Sequence, residues 1–214
     1  MVDGARIGPP PDMPSLLLNN RIVYLGSPLV PQVSQLIIAE LLFLQYESQE
    51  KPVLMYINSP GTTTSDGQPV AFETEAFAIV DTMNYATSPI HTVLVGKAYG
   101  LSAMLLASGE KGERSSLPYG TVMLNQPRSG AQGQASDIAL KAREVLDNRR
   151  VALEIMSTAT GVSMAQLSED TNRVKYMDAE QAKAYGIIDK IVQKTANIND
   201  ANKEAVSGIS RGLG

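Results

Sequence analysis

Chemistry at a peptide or ester bond needs a nucleophile and a base, and this chain offers few of either. It contains one histidine, His91, and no cysteine. Any Ser-His-Asp or Cys-His mechanism must therefore run through His91. That residue opens the run His91-Thr-Val-Leu-Val-Gly96, rich in β-branched side chains, which predicts a buried strand leading to a glycine turn. Beyond it, Gly96-Lys-Ala-Tyr-Gly100-Leu-Ser102-Ala-Met-Leu-Leu106 is the kind of strand-turn-helix segment that presents a nucleophile. At strand rise His91 lies ~16 Å from the turn, too far to serve a nucleophile there.

The remaining reactive groups have plainer explanations. Ser102 sits two positions past Gly100, about 200° around a helix, and so faces away from a site at Gly100. Lys97 suggests a Ser-Lys pair but reads as an exposed lysine on the turn. His91 has no second histidine with which to share a metal. Glu73 and Glu75 follow a polar loop and are expected to be solvated. Lys111-Gly-Glu-Arg114 lacks the glycine spacing and strand context of a phosphate loop and reads as a charged turn. No metal site and no cofactor are expected.

Composition narrows the field further. The 214 residues suit one domain with a sizeable core. A net charge of -4 and a pI near 5.1 argue against a nucleic-acid partner. Without cysteine there are no disulfides or thiolate metal sites, which suits a reducing compartment. The apolar run Leu36 to Leu44 is broken by Glu40 and too short to span a bilayer. No leader signature opens the sequence, so an organellar protein would be in its mature form.

These residues must be positioned by an alternating α/β scaffold. Strands are expected over Arg21 to Gly26, Val53 to Asn58, His91 to Gly96, Thr121 to Asn125 and Ile187 to Ile191. Helices are expected from Pro31 to Tyr46, Phe72 to Tyr85 and Ala98 to Ser108, with a long one from Ser136 to about Ala159. Ser163-x-x-Gln166 and Asp178-x-x-Gln181 are capping signatures for two more. The order predicts a mainly parallel sheet. Residues 1–14 read as a flexible proline-rich arm, 15–194 as the folded domain, 62–69 as an exposed loop, and 195–214 as a flexible tail.

Several motifs in this order resemble one family. They are Ser59-Pro-Gly61, Gly96-x-Ala98, Leu105-Leu106-x-x-Gly109-x-Lys111-Gly112, Gln126-Pro127, Gly133-Gln134-Ala135-x-Asp137-Ile138 and Ala184-Tyr-Gly186-Ile-Ile-Asp189. Together they resemble the Clp protease proteolytic subunit (ClpP) over roughly residues 15–192. The resemblance implies an α/β, crotonase-like spiral of βαβ units with a protruding handle helix. It also implies seven-membered rings stacked around a closed chamber and fed by an ATP-driven AAA+ unfoldase of the Clp/Hsp100 type.

Carried across residue by residue, the resemblance gives a site without its chemistry. The family's serine position is Gly100, its histidine position, just before Gln126-Pro127, is Asn125, and its aspartate position is Val174. None of these side chains can attack a carbonyl, act as a base near neutral pH, or orient one. The two oxyanion N–H groups fall on Leu101 and on Thr62, the latter where the family has a second glycine. Such losses, with Leu124-Asn-Gln-Pro-Arg128 and a longer loop after Ser-Pro-Gly, resemble the inactive R-type subunits (ClpR) of cyanobacteria and plastids.

The implied role is a non-catalytic structural and regulatory subunit in mixed heptameric rings, within a tetradecamer, beside active serine-peptidase subunits and other R-type subunits. It would help wall a chamber for unfolded protein substrates, in the chloroplast stroma or a cyanobacterial cytoplasm. The alternative is an enzyme: a serine peptidase with a displaced nucleophile, or a crotonase-like thioester enzyme using the oxyanion hole alone. Leu54, Tyr56 and Tyr85 match positions of the family's chaperone groove, with ordinary packing as the plain alternative. Arg173 matches an arginine of ring-to-ring ion pairing, and Leu146 and Leu153 lie on the apolar stripe of the handle. Pro69, Val70 and Phe72, in the lengthened loop, are expected to fill part of the empty substrate groove.

Overall fold

The computed structural model describes residues 12–64, 68–126 and 132–192. No helix among them is long and apolar enough to cross a membrane. The sheet is built from β1 (Ile22–Leu25), β2 (Val53–Ser59), β3 (Ile90–Tyr99), β4 (Ser115–Ser116), β5 (Thr121–Leu124), β6 (Lys175–Met177) and β7 (Lys190–Ile191). The helices are α1 (Met13–Asn19), α2 (Pro31–Glu47), α3 (Glu73–Tyr85), α4 (Leu101–Ala107), α5 (Ala135–Thr160), α6 (Met164–Asp170) and α7 (Ala179–Tyr185). The mixed α/β architecture expected from the alternating pattern is present.

All strand pairs are parallel except β5 with β6. The order β1-β2-β3-β4-β7 carries a branch, because β3 pairs with three strands, β2 along one side and β4 and β5 in succession along the other. Val93 and Leu94 pair with β4, whereas Lys97 to Tyr99 pair with β5. Between the two lies Gly96 at φ +88, where the β2–β3 register also slips. Gly96 therefore does not end the strand, as the sequence suggests; it bends it, because a left-handed residue re-aims the chain without stopping it. The last residues of β3 are thereby carried to Gly100.

Burial follows the strand period. Val53, Met55, Ile57 and Ser59 of β2 face inward, while Leu54 and Tyr56 share the other, half-exposed face. On α2, Ile37, Leu41 and Leu44 enter the core at i, i+4 and i+7 spacing, while Leu36, expected on that face, is exposed. One contiguous apolar cluster joins α2, α3 and α4 to β1, β2 and β3 and to the second half of α5.

Three differences from expectation concern the edges. Met13 and Pro14, assigned to the arm, open α1; proline near the first helical turn is compatible with a helix because its missing N–H has no partner there anyway. Residues 1–11 of that arm and the tail from 195 lie outside the described residues. Arg114, the last residue of the expected charged turn, is buried, and its guanidinium pairs bidentately with Asp189 at 2.6 and 2.8 Å. That pair explains the Ile-Ile-Asp189 motif, and it holds the Asp189 carboxyl below the usual carboxylate range. Lastly, β6 returns antiparallel beside β5, a short element without a sequence signature of its own.

Candidate functional site

At the end of β3, Gly100 takes φ +56 and ψ -120 immediately before α4. This is a tight strand-to-helix elbow that strains any residue with a side chain. Its N–H donates to the Met123 carbonyl of β5 (2.8 Å), which brings the elbow beside Asn125. A Cβ placed on Gly100 would lie 2.8 Å from Asn125 Oδ1. Leu124 pairs with Lys175 across the antiparallel β5–β6 ladder, so Val174 sits opposite Asn125 at the end of that ladder. The three positions Gly100, Asn125 and Val174, far apart in sequence, thus meet at one corner of the sheet.

The oxyanion positions meet there too. Gly61, at φ +76, approaches the elbow so closely that a Cβ on it would fall 2.5 Å from the Tyr99 carbonyl and 3.3 Å from the Leu101 nitrogen. Neither the Thr62 nor the Leu101 N–H finds an acceptor among the described residues. Pro60, Thr62, Thr63, Gly100, Leu101, Asn125 and Gln126 line a recess of about 20 Å³. Behind it, Leu101, Met104, Leu124, Leu153, Met156 and Leu167 enclose most of an apolar cavity of about 40 Å³. Among the described residues the recess carries no titratable side chain, so it offers amide N–H groups, the Thr62 and Thr63 hydroxyls and apolar surface but no general acid or base.

Ser102 explains how the elbow is held. Its hydroxyl is fully buried, accepts the Tyr99 N–H (2.8 Å) and donates to the Ser59 carbonyl (2.7 Å). A hydroxyl committed in this way ties the end of β2 to the end of β3 and presents no oxygen to a substrate. Lys97 lies with its ammonium 5.8 Å from the Tyr99 ring centre, and no Ser-Lys pair forms. His91 stands at the opposite end of β3, its Nδ1 3.8 Å from Glu113, and burial lowers its pKa.

Two expectations about acidic and apolar residues fail. Glu73 is buried and accepts from Asn148 Nδ2 (3.4 Å), and Glu75 accepts from Ser34; neither is simply solvated, because α3 turns its first residues toward α2 and α5. Val70 and Phe72 do not fill the groove. Thr63 pairs with Pro69, and the Val70 N–H donates to the Thr62 carbonyl, so the segment folds back as a small hairpin. Val70 stays exposed, and the Phe72 ring lies 4.9 Å from the Lys141 ammonium on α5. Among the described residues of the loop, Thr62 and Thr63 reach the recess.

The other expected positions lie on outer surfaces. Leu54 and Tyr56 lie on one face of β2, with Tyr24 of β1 in register beside Tyr56. Tyr85 ends α3 and is 72% exposed. Arg173 is exposed and makes no ion pair within the described residues. On α5, Leu146 is exposed at 62%, whereas Leu153 packs on the chain's own core and lines the 40 Å³ cavity. Leu153 is thus half-buried against its own subunit, whereas Leu146 makes no such contact with the core. Pro127, Arg128 and Gly130 lie outside the described residues.

Sequence reasoning missed a polar cluster beside the site. Gln126 Nε2 donates to Asn172 Oδ1 (2.6 Å), which Arg149 of α5 also approaches at 3.3 Å; Arg149 further donates to Ser168 Oγ (2.9 Å). Nearby, Asp170 accepts from the Tyr185 hydroxyl (2.7 Å) and pairs with Lys175 (2.8 Å), bonds that hold its carboxyl below the usual range despite the opposing effect of burial. Both clusters fix the turn that carries Arg173 and Val174. Their sequence signals were the charged face of α5 for Arg149 and the family motifs that contain Gln126 and Tyr185.

Comparison with known proteins agrees with this geometry. The Clp protease family profile matches residues 11–195. A Clp protease proteolytic subunit-like protein of Synechocystis sp. is 50% identical over 89% of this chain and 89% of its own. ATP-dependent Clp protease proteolytic subunit 2 of Gloeobacter violaceus is 48% identical over 88% of this chain and 84% of its own. The chloroplastic proteolytic subunit-related protein 4 of Arabidopsis thaliana is 47% identical over 90% of this chain and 63% of its own. With the elbow at Gly100, the paired loops at Gly61 and Leu101 and this extent of likeness, the chain belongs to the Clp protease family.

Proposed function

We propose that this chain is a non-catalytic subunit of an ATP-dependent Clp protease core, assembled into mixed rings with active serine-peptidase subunits. The observation that carries the reading is the corner where Gly100, Asn125 and Val174 meet: the positions converge and the side chains cannot perform acyl transfer. Ser102 is committed to buried backbone hydrogen bonds, and the Thr62 and Thr63 hydroxyls at the recess have no base beside them among the described residues, which supports the reading against a displaced nucleophile. The thioester alternative lacks an acid or base lining that recess.

In this reading the chain supplies wall and interfaces. The Leu54, Tyr56 and Tyr85 surfaces are proposed to contribute to docking of a AAA+ unfoldase, and Arg173 and Leu146 to contact with the facing ring. Its relatives point to the chloroplast stroma or a cyanobacterial cytoplasm as its setting. The test is purification through a tag on this chain, with native mass spectrometry and a fluorogenic peptide assay. The expected result is a complex of fixed stoichiometry with active Clp subunits, and no turnover by the isolated chain. Turnover that persists after contaminating active subunits are removed would overturn it.

A further inference from the structure

We propose that residues 68–73 form a brace that holds α5 where it leaves the body of the molecule. Only Ala152 and Met156 of this 26-residue helix are buried. Toward its start, Lys141, Val145, Asn148 and Arg149 are half-buried and trace one face, while every described residue from 132 to 140 is exposed. A helix segment with so little tertiary support is marginal in water, since short isolated helices hardly form. What covers the face at Lys141 and Asn148 is the segment after the hairpin.

Two contacts make the cover. The Lys141 ammonium lies 4.9 Å from the Phe72 ring centre, and Asn148, two turns further along, donates to the buried Glu73 carboxylate. The start of the segment is itself fixed, because Thr64 N–H donates to Gln68 O and Val70 N–H to Thr62 O. A separate observation concerns Phe72. It is the N-cap residue of α3 and makes no capping bond with its side chain. That position ordinarily favours Ser, Thr, Asp or Asn. An exposed aromatic there does nothing for α3, and its ring is used on α5 instead. The brace rests on contacts within one chain, so it holds whether or not the subunit enters mixed rings.

Amide hydrogen exchange of the full chain tests this, in wild type, Lys141→Met, Phe72→Ala, the double variant and Lys141→Arg. Lys141→Met and Phe72→Ala should each speed exchange across residues 136–147 by about two- to fivefold, the strength of one exposed cation–π contact. Peptides from α2 and β2 should be unaffected. The double variant should exchange no faster than Lys141→Met, which also loses the 2.9 Å ion pair to Glu144, because Phe72→Ala removes only the cation–π contact that Lys141→Met has already removed. Lys141→Arg, which keeps the cation, should behave as wild type. Unchanged exchange in both single variants, or effects that add in the double, would overturn the brace.

Discussion

Gly100→Ser, Asn125→His and Val174→Asp, made together, test whether the backbone at these three positions can align a working triad. A serine at φ +56 and ψ -120 carries about 1–3 kcal/mol of backbone strain. Alone it would also place its Cβ 2.8 Å from Asn125 Oδ1, closer than real contacts allow, so the single variant must displace that amide. Replacing Asn125 removes the obstructing oxygen and puts an imidazole beside the new hydroxyl. Val174 is exposed and in register opposite position 125, so a carboxylate there is placed beside the imidazole's strand without a burial cost. A positioned general base contributes about 10²–10⁴ in rate. Labelling by a fluorophosphonate probe, followed by intact mass, should thus be at least about 100-fold faster in the triple variant than in Gly100→Ser. Because Val70 and Phe72 lie outside the recess, this should not require shortening of the hairpin. Equal labelling of the single and triple variants, with circular dichroism showing both folded, would refute the alignment of the three positions.

Three further outcomes can be checked. Asp189→Asn leaves the Arg114 guanidinium buried without its counter-charge and should cost ~3–5 kcal/mol in urea denaturation. The wild-type carboxyl is held below its ordinary 3.8, so its stabilising effect is complete above that pH and lost as pH falls through the folded value; the variant's acid profile should be flatter there. Ser102→Ala should lower stability by ~1–3 kcal/mol, because the Tyr99 N–H loses its acceptor, without changing probe labelling of the chain. Leu146→Ala should leave the isolated chain's stability within ~0.5 kcal/mol, while Leu153→Ala should lower it by ~2–5 kcal/mol; if Leu146→Ala alone destabilised the monomer, the exposed position assigned to it would be wrong.

The sequence was most readable where periodicity and motif coincide. Val53-Leu-Met-Tyr-Ile is a short apolar run ended by the Ser59-Pro-Gly61 turn and forms β2, the α5 pattern predicts its ends within a residue, and Asp178 with Gln181 forms the reciprocal cap its spacing suggests. The corner of Gly100, Asn125 and Val174 was legible only through family motifs, since nothing local in Val174 points to Asn125. What remained hidden depended on distant partners. The burial of Arg114 is set by Asp189, and β4, two serines long, exists because β3 and β7 flank it. Gly96 reads as a turn locally, and only pairing of Lys97 to Tyr99 with β5 shows that the strand continues. The hairpin's apolar residues were assigned to the groove because proximity in sequence does not reveal that Lys141 lies on their other side.

The Arg114–Asp189 pair joins residues 75 positions apart and closes the far edge of the sheet, where β7 lies on β4. During synthesis that edge cannot close until the chain beyond residue 189 has left the ribosome. Until then a guanidinium destined for the interior has only water and the Ala107 and Ala159 carbonyls as partners. Nascent or truncated chains should therefore stay open at this edge with their apolar surface uncovered, a form that folding helpers bind and degradation removes. Closure of this edge would thus report that synthesis has passed β7.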